Sequence, residues 1–303
     1  MMSLSIKSNT VKLAPQMFPA TTNSLKVTQA TSEHEEEVLA FLAARPIHTV
    51  FMTGFIRNNG LVSPLNRGTF YICVDAQGQL EGVALIGHNT LIEARTETAL
   101  AAFARLIQAS PSVYMMMGER EMIHQLSGYC AGKGRMPRLV CREMLLVQRW
   151  PAEVRKAVPL RPATMDDLPL LLPVHAEMAF EESGVNPLKV DPEGFSRRCA
   201  RRIDQERVWV WVEGGRLLFK ADILADTPEV IYLEGIYVAP DDRCKSYGSR
   251  CLSQLSRSLL KRAGVISVLV DERNLAARSL FRKAGYNFRS QYETVFLEKK
   301  TAE

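Results

Sequence analysis

One arrangement of elements is written twice along this chain, and that repetition constrains the fold more than any single motif. Ser32 to Leu42 opens with a capping-box pattern and continues as a helix. Residues 69–75, a turn at 76–79 and residues 80–87 read as a hairpin. A short strand (90–94) then precedes a helix (97–108), a strand (113–117), a helix (119–131) and a long strand (138–148). The order then recurs: a short strand at 158–164, a helix at 165–179 with Asp166 and Asp167 in its first turn, a loop at 181–187 and a helix at 193–204. A hairpin turning at Gly214-Gly215 follows, then a strand, a helix, a strand at 266–270, a helix from Asn274 and closing strands around Phe288 and 294–297.

The polar stretch between the halves, opened by Pro151, is the linker. The expectation is an α/β protein of two tandem domains, each a mixed sheet with helices packed on it. The boundaries are a tail at 1–24, a first domain at 25–150, a linker at 151–157 and a second domain at 158–303. One larger irregular α/β domain is the alternative. The tail carries Ser, Thr and Lys without an Arg-rich amphipathic pattern, so it reads as a plain terminus rather than a transit peptide.

Composition narrows the class of function. A hydrophobic content of 47% with 23% charged residues is that of a globular chain, and no apolar run reaches the ~20 residues of a membrane helix. The net charge of +5 is spread over both halves, which argues against nucleic acid or an anionic membrane as partner. Six cysteines without a CxxC pair read as reduced thiols in a cytoplasm, and five dispersed histidines show no metal-ligand spacing, so no metal is expected.

The chemistry concentrates in one stretch. Ile231 to Val238 is apolar, β-branched and aromatic and stops before Pro240, as a buried strand does. A turn with Arg243, Lys245, Gly248 and Ser249 follows, and then Leu252, Leu255, Leu259 and Leu260 mark one face of a helix. This order aims free backbone N–H groups and a positive helix end at one point, where a phosphate or pyrophosphate fits. An ordinary turn with solvated charges is the other reading. The first half differs at the matching place: residues 95–98 read Arg-Thr-Glu-Thr, with no glycine, and Glu97 would repel a phosphate. The first domain is therefore expected to keep the fold without a cofactor site, and to shape the substrate cleft or a dimer interface.

The pattern Val238-x-Pro240-x-x-Arg243-x-x-Ser246-x-Gly248-Ser249 resembles the acetyl-CoA signature of the GCN5-related N-acetyltransferases (GNAT). Downstream, Val270 to Tyr286, with Asn274, Ala277, Phe281 and Gly285-Tyr286, is similar to the second motif of that family. The resemblance covers roughly 160–299, and the tandem with an altered first half is similar to bacterial two-domain members. It implies an acetyl-CoA-dependent N-acetyltransferase, with direct attack by a primary amine of a small molecule or peptide. It assigns the backbone of Ile236, Tyr237 and Val238 to the pantetheine arm. The turn Arg243, Cys244, Lys245, Ser246, Tyr247, Gly248 and Ser249 goes to the pyrophosphate. Asn274 and Phe281 go near the thioester and Lys283 to a phosphate. Asn274 also suits a helix N-cap, and Phe281 taken alone suits a core.

Ser246 stands where the motif has its first glycine, and its Cβ disfavours a positive φ. Phe281 stands where many members carry a tyrosine acid, which shifts that role to Tyr292 or water. Glu234, an acid inside an apolar strand, is the candidate base, against an ion pair with Lys220 or Arg216. Glu181 and Glu182, in the loop after the first helix of the second half, are candidates for gripping a cationic acceptor, against solvated loop charges. Cys244 and Cys251 read as packing residues rather than nucleophiles. The alternatives to an enzyme are a non-catalytic acyl-CoA-binding module and a two-domain interaction scaffold; a homodimer is compatible with each.

Overall fold

The computed structural model describes residues 25–130, 136–153 and 156–298; the expected tail at 1–24 and parts of the linker lie outside them. The first half contains β1 (Lys26–Gln29), α1 (Glu35–Leu42), α2 (Pro46–Asn59), β2 (Gly68–Val74), β3 (Leu80–Gly87) and β4 (Asn89–Ala94). It continues with α3 (Glu97–Ala109), β5 (Met115–Glu119), α4 (Arg120–Cys130) and β6 (Pro137–Gln148). The second half contains β7 (Arg161–Pro162), α5 (Leu168–Ser183), α6 (Pro187–Val190), α7 (Pro192–Asp204), β8 (Val208–Glu213) and β9 (Arg216–Asp226). It ends with β10 (Val230–Val238), α8 (Tyr247–Leu259), β11 (Val265–Asp271), α9 (Leu275–Lys283) and β12 (Asn287–Leu297).

The repeated order is therefore present, but the halves do not keep separate sheets. All these strands join one sheet in the order β1-β2-β3-β4-β5-β12-β6-β11-β10-β9-β8-β7. The closing strands are exchanged: β12 pairs with β5 of the first half, β6 pairs with β11 of the second, and the two pair with each other along their length. Each half is thus completed by the other's last strand, and no sheet edge is exposed at the join.

Apolar faces explain the layers. On one side of the sheet, α3 and α4 bury Phe103, Ile107, Ile123 and Leu126, and α8 and α9 bury Leu252, Leu255, Leu259 and Phe281. On the other side lie α1, α2, α5 and α7. α2 was not legible as one amphipathic helix because it serves two cores. Met52 and Ile56 pack into the first half, while Ile47 and Val50 meet Leu145, Ala225, Tyr232 and Tyr292 across the join. Its Gly54 lies against β9, where an added Cβ would come within 2.8 Å of the Ala225 Cβ.

Candidate functional site

β10 is hydrogen-bonded to the parallel strand β11 only from Val230–Val265 to Leu233–Val268. Beyond Leu233 it stays with β9 alone, and a bulge falls between Glu234 and Tyr237. The two strands thus splay into a wedge, and the bulge sets the direction of Glu234 at its apex. Gly235 has φ +59°, and a Cβ there would lie 2.7 Å from Lys220 Nζ and 2.8 Å from Asp222 Oδ2, so both backbone and space demand glycine.

A polar network behind the wedge fixes Glu234. Arg202 Nη1 on α7 donates to Glu234 Oε1 at 2.8 Å and stands 3.7 Å from Asp222 Oδ2. Lys220 is fully buried and its Nζ donates to Asp222 Oδ2 at 2.8 Å. Burial alone would raise the Asp222 carboxyl; Lys220, His175 and Arg202 outweigh it and hold the group below its usual range. Burial drives His175 down to about 4, against the pull of Asp222, so it is neutral at pH 7 and its Nδ1 accepts from Lys220 at 3.3 Å. The alternative reading of Glu234, an ion pair with Lys220 or Arg216, is met by an ion pair with a different partner, Arg202. Register sets Glu234 opposite Asp222, while Lys220 faces Tyr237 and Arg216 binds Asp242.

Glu181 and Glu182 are on the last turn of α5, not in a loop, because the helix runs on to Ser183 and ends at Gly184 with φ +70°. Glu182 is open to solvent, yet the protein around it desolvates its carboxyl, and with Glu234 and Glu143 nearby its pKa is pushed up to about 7. Glu143 is on β6: burial and Asp271 raise its carboxyl while Thr294, which donates to Oε2 at 2.6 Å, lowers it. Arg138, on the same strand, donates to the Ser183 carbonyl at 2.8 Å and ties β6 to the end of α5. Sequence reasoning missed Glu143, Arg202 and Asp222. The spacing of Lys220 and Asp222, two apart in an apolar strand and so on one face, was a readable signal for a buried pair.

Tyr292 lies elsewhere. It is on β12, opposite Glu119 of β5, and its hydroxyl is 3.0 Å from His48 Nδ1 among Arg45, Glu93 and Glu119. Burial pushes its pKa far up. Its hydroxyl is engaged by His48 rather than by Glu234, although β12 also pairs with β6 and sets Tyr292 opposite Glu143. The strand exchange sets Glu143 opposite Asp271, as Tyr292 is opposite Glu119. In the first half, β4 and β5 pair only around Asn89–Thr90 and also splay, onto a cavity of about 590 Å³ that Arg45, Thr96, Glu97, Glu119 and Arg120 line.

The turn after β10 combines left-handed backbone with free helix amides. Cys244 and Ser246, neither glycine, have φ +62° and +61°. Left-handed non-glycine residues cost about 1–3 kcal/mol each and gather at ligand clamps. Ser246 is the N-cap of α8 but makes no side-chain cap, so the first amides of the helix keep their donors for another acceptor. At the matching place in the first half, the Thr96 hydroxyl caps α3 by accepting from Ala99 at 3.2 Å. Gly248 sits under the end of β10, where an added Cβ would be 2.9 Å from Val238 Cγ2 and 3.1 Å from Leu280 Cδ1. Arg243 Nε donates to the Val238 carbonyl at 3.2 Å, Lys245 binds Asp242 at 2.9 Å, and Tyr247 packs on Trp211.

The remaining residues of the second motif divide. Asn274 caps α9, its Oδ1 accepting from Ala277 at 2.9 Å. Phe281 is buried in the core against Tyr286, and Lys283 is exposed in the last turn of α9. Ile236, Tyr237 and Val238 are partly buried along the splayed part of β10. Cys251 is inert, its thiol raised by burial to about 12.

A splayed mixed sheet with an uncapped helix at the mouth of the wedge is the N-acyltransferase fold. The acetyltransferase (GNAT) family model matches residues 176–286. Comparison with curated proteins finds no match. Among solved structures, the chain is similar to a GNAT acetyltransferase from Colwellia psychrerythraea (13% identity, TM-score 0.59, covering 91% of this chain and 100% of that one). It is similar also to a GCN5-related N-acetyltransferase from Sphaerobacter thermophilus (14%, 0.60, 92% and 97%). A third likeness is to a tandem GNAT protein of the clavulanic acid biosynthesis pathway (11%, 0.56, 92% and 100%). At these identities the likeness is one of fold, and it spans both halves.

Proposed function

We propose that the protein is an N-acetyltransferase that moves an acetyl group from acetyl-CoA to a primary amine of a small molecule or peptide. In this reading residues 158–303 are the catalytic domain, and 25–150 a domain of the same fold without the cofactor loop. The observation that carries the proposal is the uncapped start of α8, set behind two left-handed residues at the mouth of the β10–β11 wedge. Acetyl-CoA supplies an activated thioester when bound. Backbone amides of residues 246–249 hold its pyrophosphate, and the unpaired edge of Ile236 to Val238 holds the pantetheine arm.

Glu234 stands at the apex with Oε1 held by Arg202, which leaves Oε2 for the acceptor. That oxygen fixes the ammonium and takes its proton as the N–C bond forms and the C–S bond breaks. Glu182, with a pKa of about 7, is a second carboxylate suited to accept a proton at neutral pH. With Phe281 in the core and Tyr292 at the other cluster, the thiolate departs without an acid from either, as a thiol of ordinary pKa can. The cytoplasm is the expected setting; among the described residues no helix is long and apolar enough to cross a membrane.

The test is acetyl transfer to a panel of primary amines, with Glu234→Gln and Glu182→Gln beside the parent. Glu234→Gln is expected to lower kcat by about 10²–10⁴ with acetyl-CoA affinity kept. If only Glu182→Gln lowers kcat, the base is Glu182. Cofactor binding without transfer to any amine would leave an acyl-CoA-binding module.

A further inference from the structure

The first half has a wedge of its own, and its chemistry differs from that of the second. β4 leaves β5 after Thr90, as β10 leaves β11 after Leu233. Ile92-Glu93-Ala94 then repeats the order of apolar, acidic and small residue in Leu233-Glu234-Gly235. Glu93 is buried, and Arg45 Nη1 donates to its Oε1 at 3.1 Å, as Arg202 donates to Glu234. Arg45 also binds Glu119, whose Oε1 accepts from Ser290 Oγ at 3.1 Å. The proposed reaction uses none of these groups.

The cavity of about 590 Å³ that this wedge opens onto falls within the ~300–1,000 Å³ of small-molecule sites. Its wall does not suit a nucleotide. Arg45, Arg95 and Arg120 are balanced there by Glu97, Glu119 and Glu121, so a polyphosphate meets no net positive charge. The start of α3 is closed as well, since the Thr96 hydroxyl takes the Ala99 amide. Arg45 and Glu119 are spent on each other, but charges of both signs remain. Among the described residues Arg95 makes no ion pair; it donates to the Leu80 carbonyl and lies over the Phe41 ring. Glu97 accepts from the Tyr129 hydroxyl and, like Glu121, has no basic side chain within ion-pair distance among the described residues. Ala94, Leu100 and Met122 add apolar surface to the same wall. A simple anion would leave the acids unmet and a simple amine would leave Arg95 unmet; a zwitterion meets both.

We infer that the wedge of the first half is a second ligand site, and that its ligand is a zwitterionic α-amino acid with an apolar side chain. The carboxylate goes to Arg95, the ammonium to Glu97 and Glu121, and the side chain to Leu100 and Met122. Both halves build the site: β12 adds Ser290 and Gln291 to the wall, and Arg120 Nη2 donates to Glu272 at 2.8 Å. It stands apart from the wedge of the proposed acetyltransferase and does not depend on that activity.

The experiment is calorimetric titration with L-leucine, with 4-methylpentanoate, which lacks the ammonium, and with 3-methylbutylamine, which lacks the carboxylate. The parent is expected to bind leucine with a Kd below about 1 mM, and each analogue at least about tenfold more weakly, the worth of one charge-assisted contact. Arg95→Gln and Glu121→Gln, both at exposed positions, should each weaken leucine binding about three- to tenfold. Gln125→Trp fills the cavity from the exposed face of α4 and should abolish binding; it breaks no bond of the wall, so it keeps the test open if Arg95→Gln fails to fold. Saturating CoA should leave the leucine affinity of the parent unchanged. No leucine binding up to about 10 mM overturns the inference, as does an analogue that binds as tightly as leucine. Unchanged binding in Gln125→Trp overturns it too, as does displacement of leucine by CoA, which would put a coenzyme in this wedge. None of these readings needs acetyl transfer, so absence of turnover would count against the proposed activity alone.

Discussion

Removing the buried ammonium behind the site, Lys220→Met, tests the network on which Glu234 depends. Lys220 and Asp222 are both essentially without solvent contact, and their 2.8 Å pair is the shortest link that the Asp222 carboxylate makes. Stripping one partner from a buried ion pair costs about 3–5 kcal/mol. A ceiling follows independently. If Asp222 escapes by taking a proton, neutralising a carboxyl of ordinary pKa at pH 7 costs about 4 kcal/mol. Arg202, still 3.7 Å away, softens the loss, so about 3 kcal/mol is expected, or a fall in Tm of roughly 6–12 °C. The pH dependence has a definite sign. In the parent the Asp222 pKa is depressed, so its contribution to stability is present above the unfolded pKa and lost as pH falls through the folded one. In Lys220→Met that pKa rises, and the cost of protonating falls to about 1.5 kcal/mol at pH 5. Thermal melts of parent and variant at pH 7 and pH 5 read both effects, and Lys220→Met with Asp222→Leu should recover most of the loss. A variant melting within about 1 °C of the parent at pH 7, or a deficit independent of pH, would refute the reasoning.

Ser246→Gly removes a Cβ from a residue at φ +61° and should tighten acetyl-CoA binding; the relief of about 1 kcal/mol is offset by the entropy of glycine in the unfolded chain, so Tm should move by only a few degrees. Gly248→Ala sets a Cβ 2.9 Å from Val238 and should cost about 1–3 kcal/mol by melting, with weaker cofactor binding as α8 shifts. Glu182, with its pKa of about 7, should make KM for a cationic acceptor fall as pH rises from 6 to 8, and Glu182→Gln should flatten that profile.

The repeated element order and the strand–turn–helix at 231–259 were legible because each rests on local signals: periodicity, breakers and turn residues. Glu234 and the loop through Ser249 came from those signals together with the family's motifs. What was hidden arises from long-range pairing. Nothing in the local pattern of β6 or β12 says that they change places. Tyr292, a candidate acid in the sequence, is set opposite Glu143 of β6 with its hydroxyl 3.0 Å from His48. α2 lacks a single apolar stripe because two cores claim it, so its periodicity was unreadable. The ion-pair partner of Glu234, Arg202, was not legible because it comes from α7 and a bulge in β10 shifts the register against β9.

The central claim is that the turn after β10 holds acetyl-CoA. Calorimetric titration of the parent and of Gly248→Glu with acetyl-CoA tests it most directly. The account predicts binding in the micromolar range by the parent and none by Gly248→Glu, with Gly128→Glu, on the exposed side of α4, binding as the parent does. No binding by the parent, or equal binding by Gly248→Glu, would contradict it.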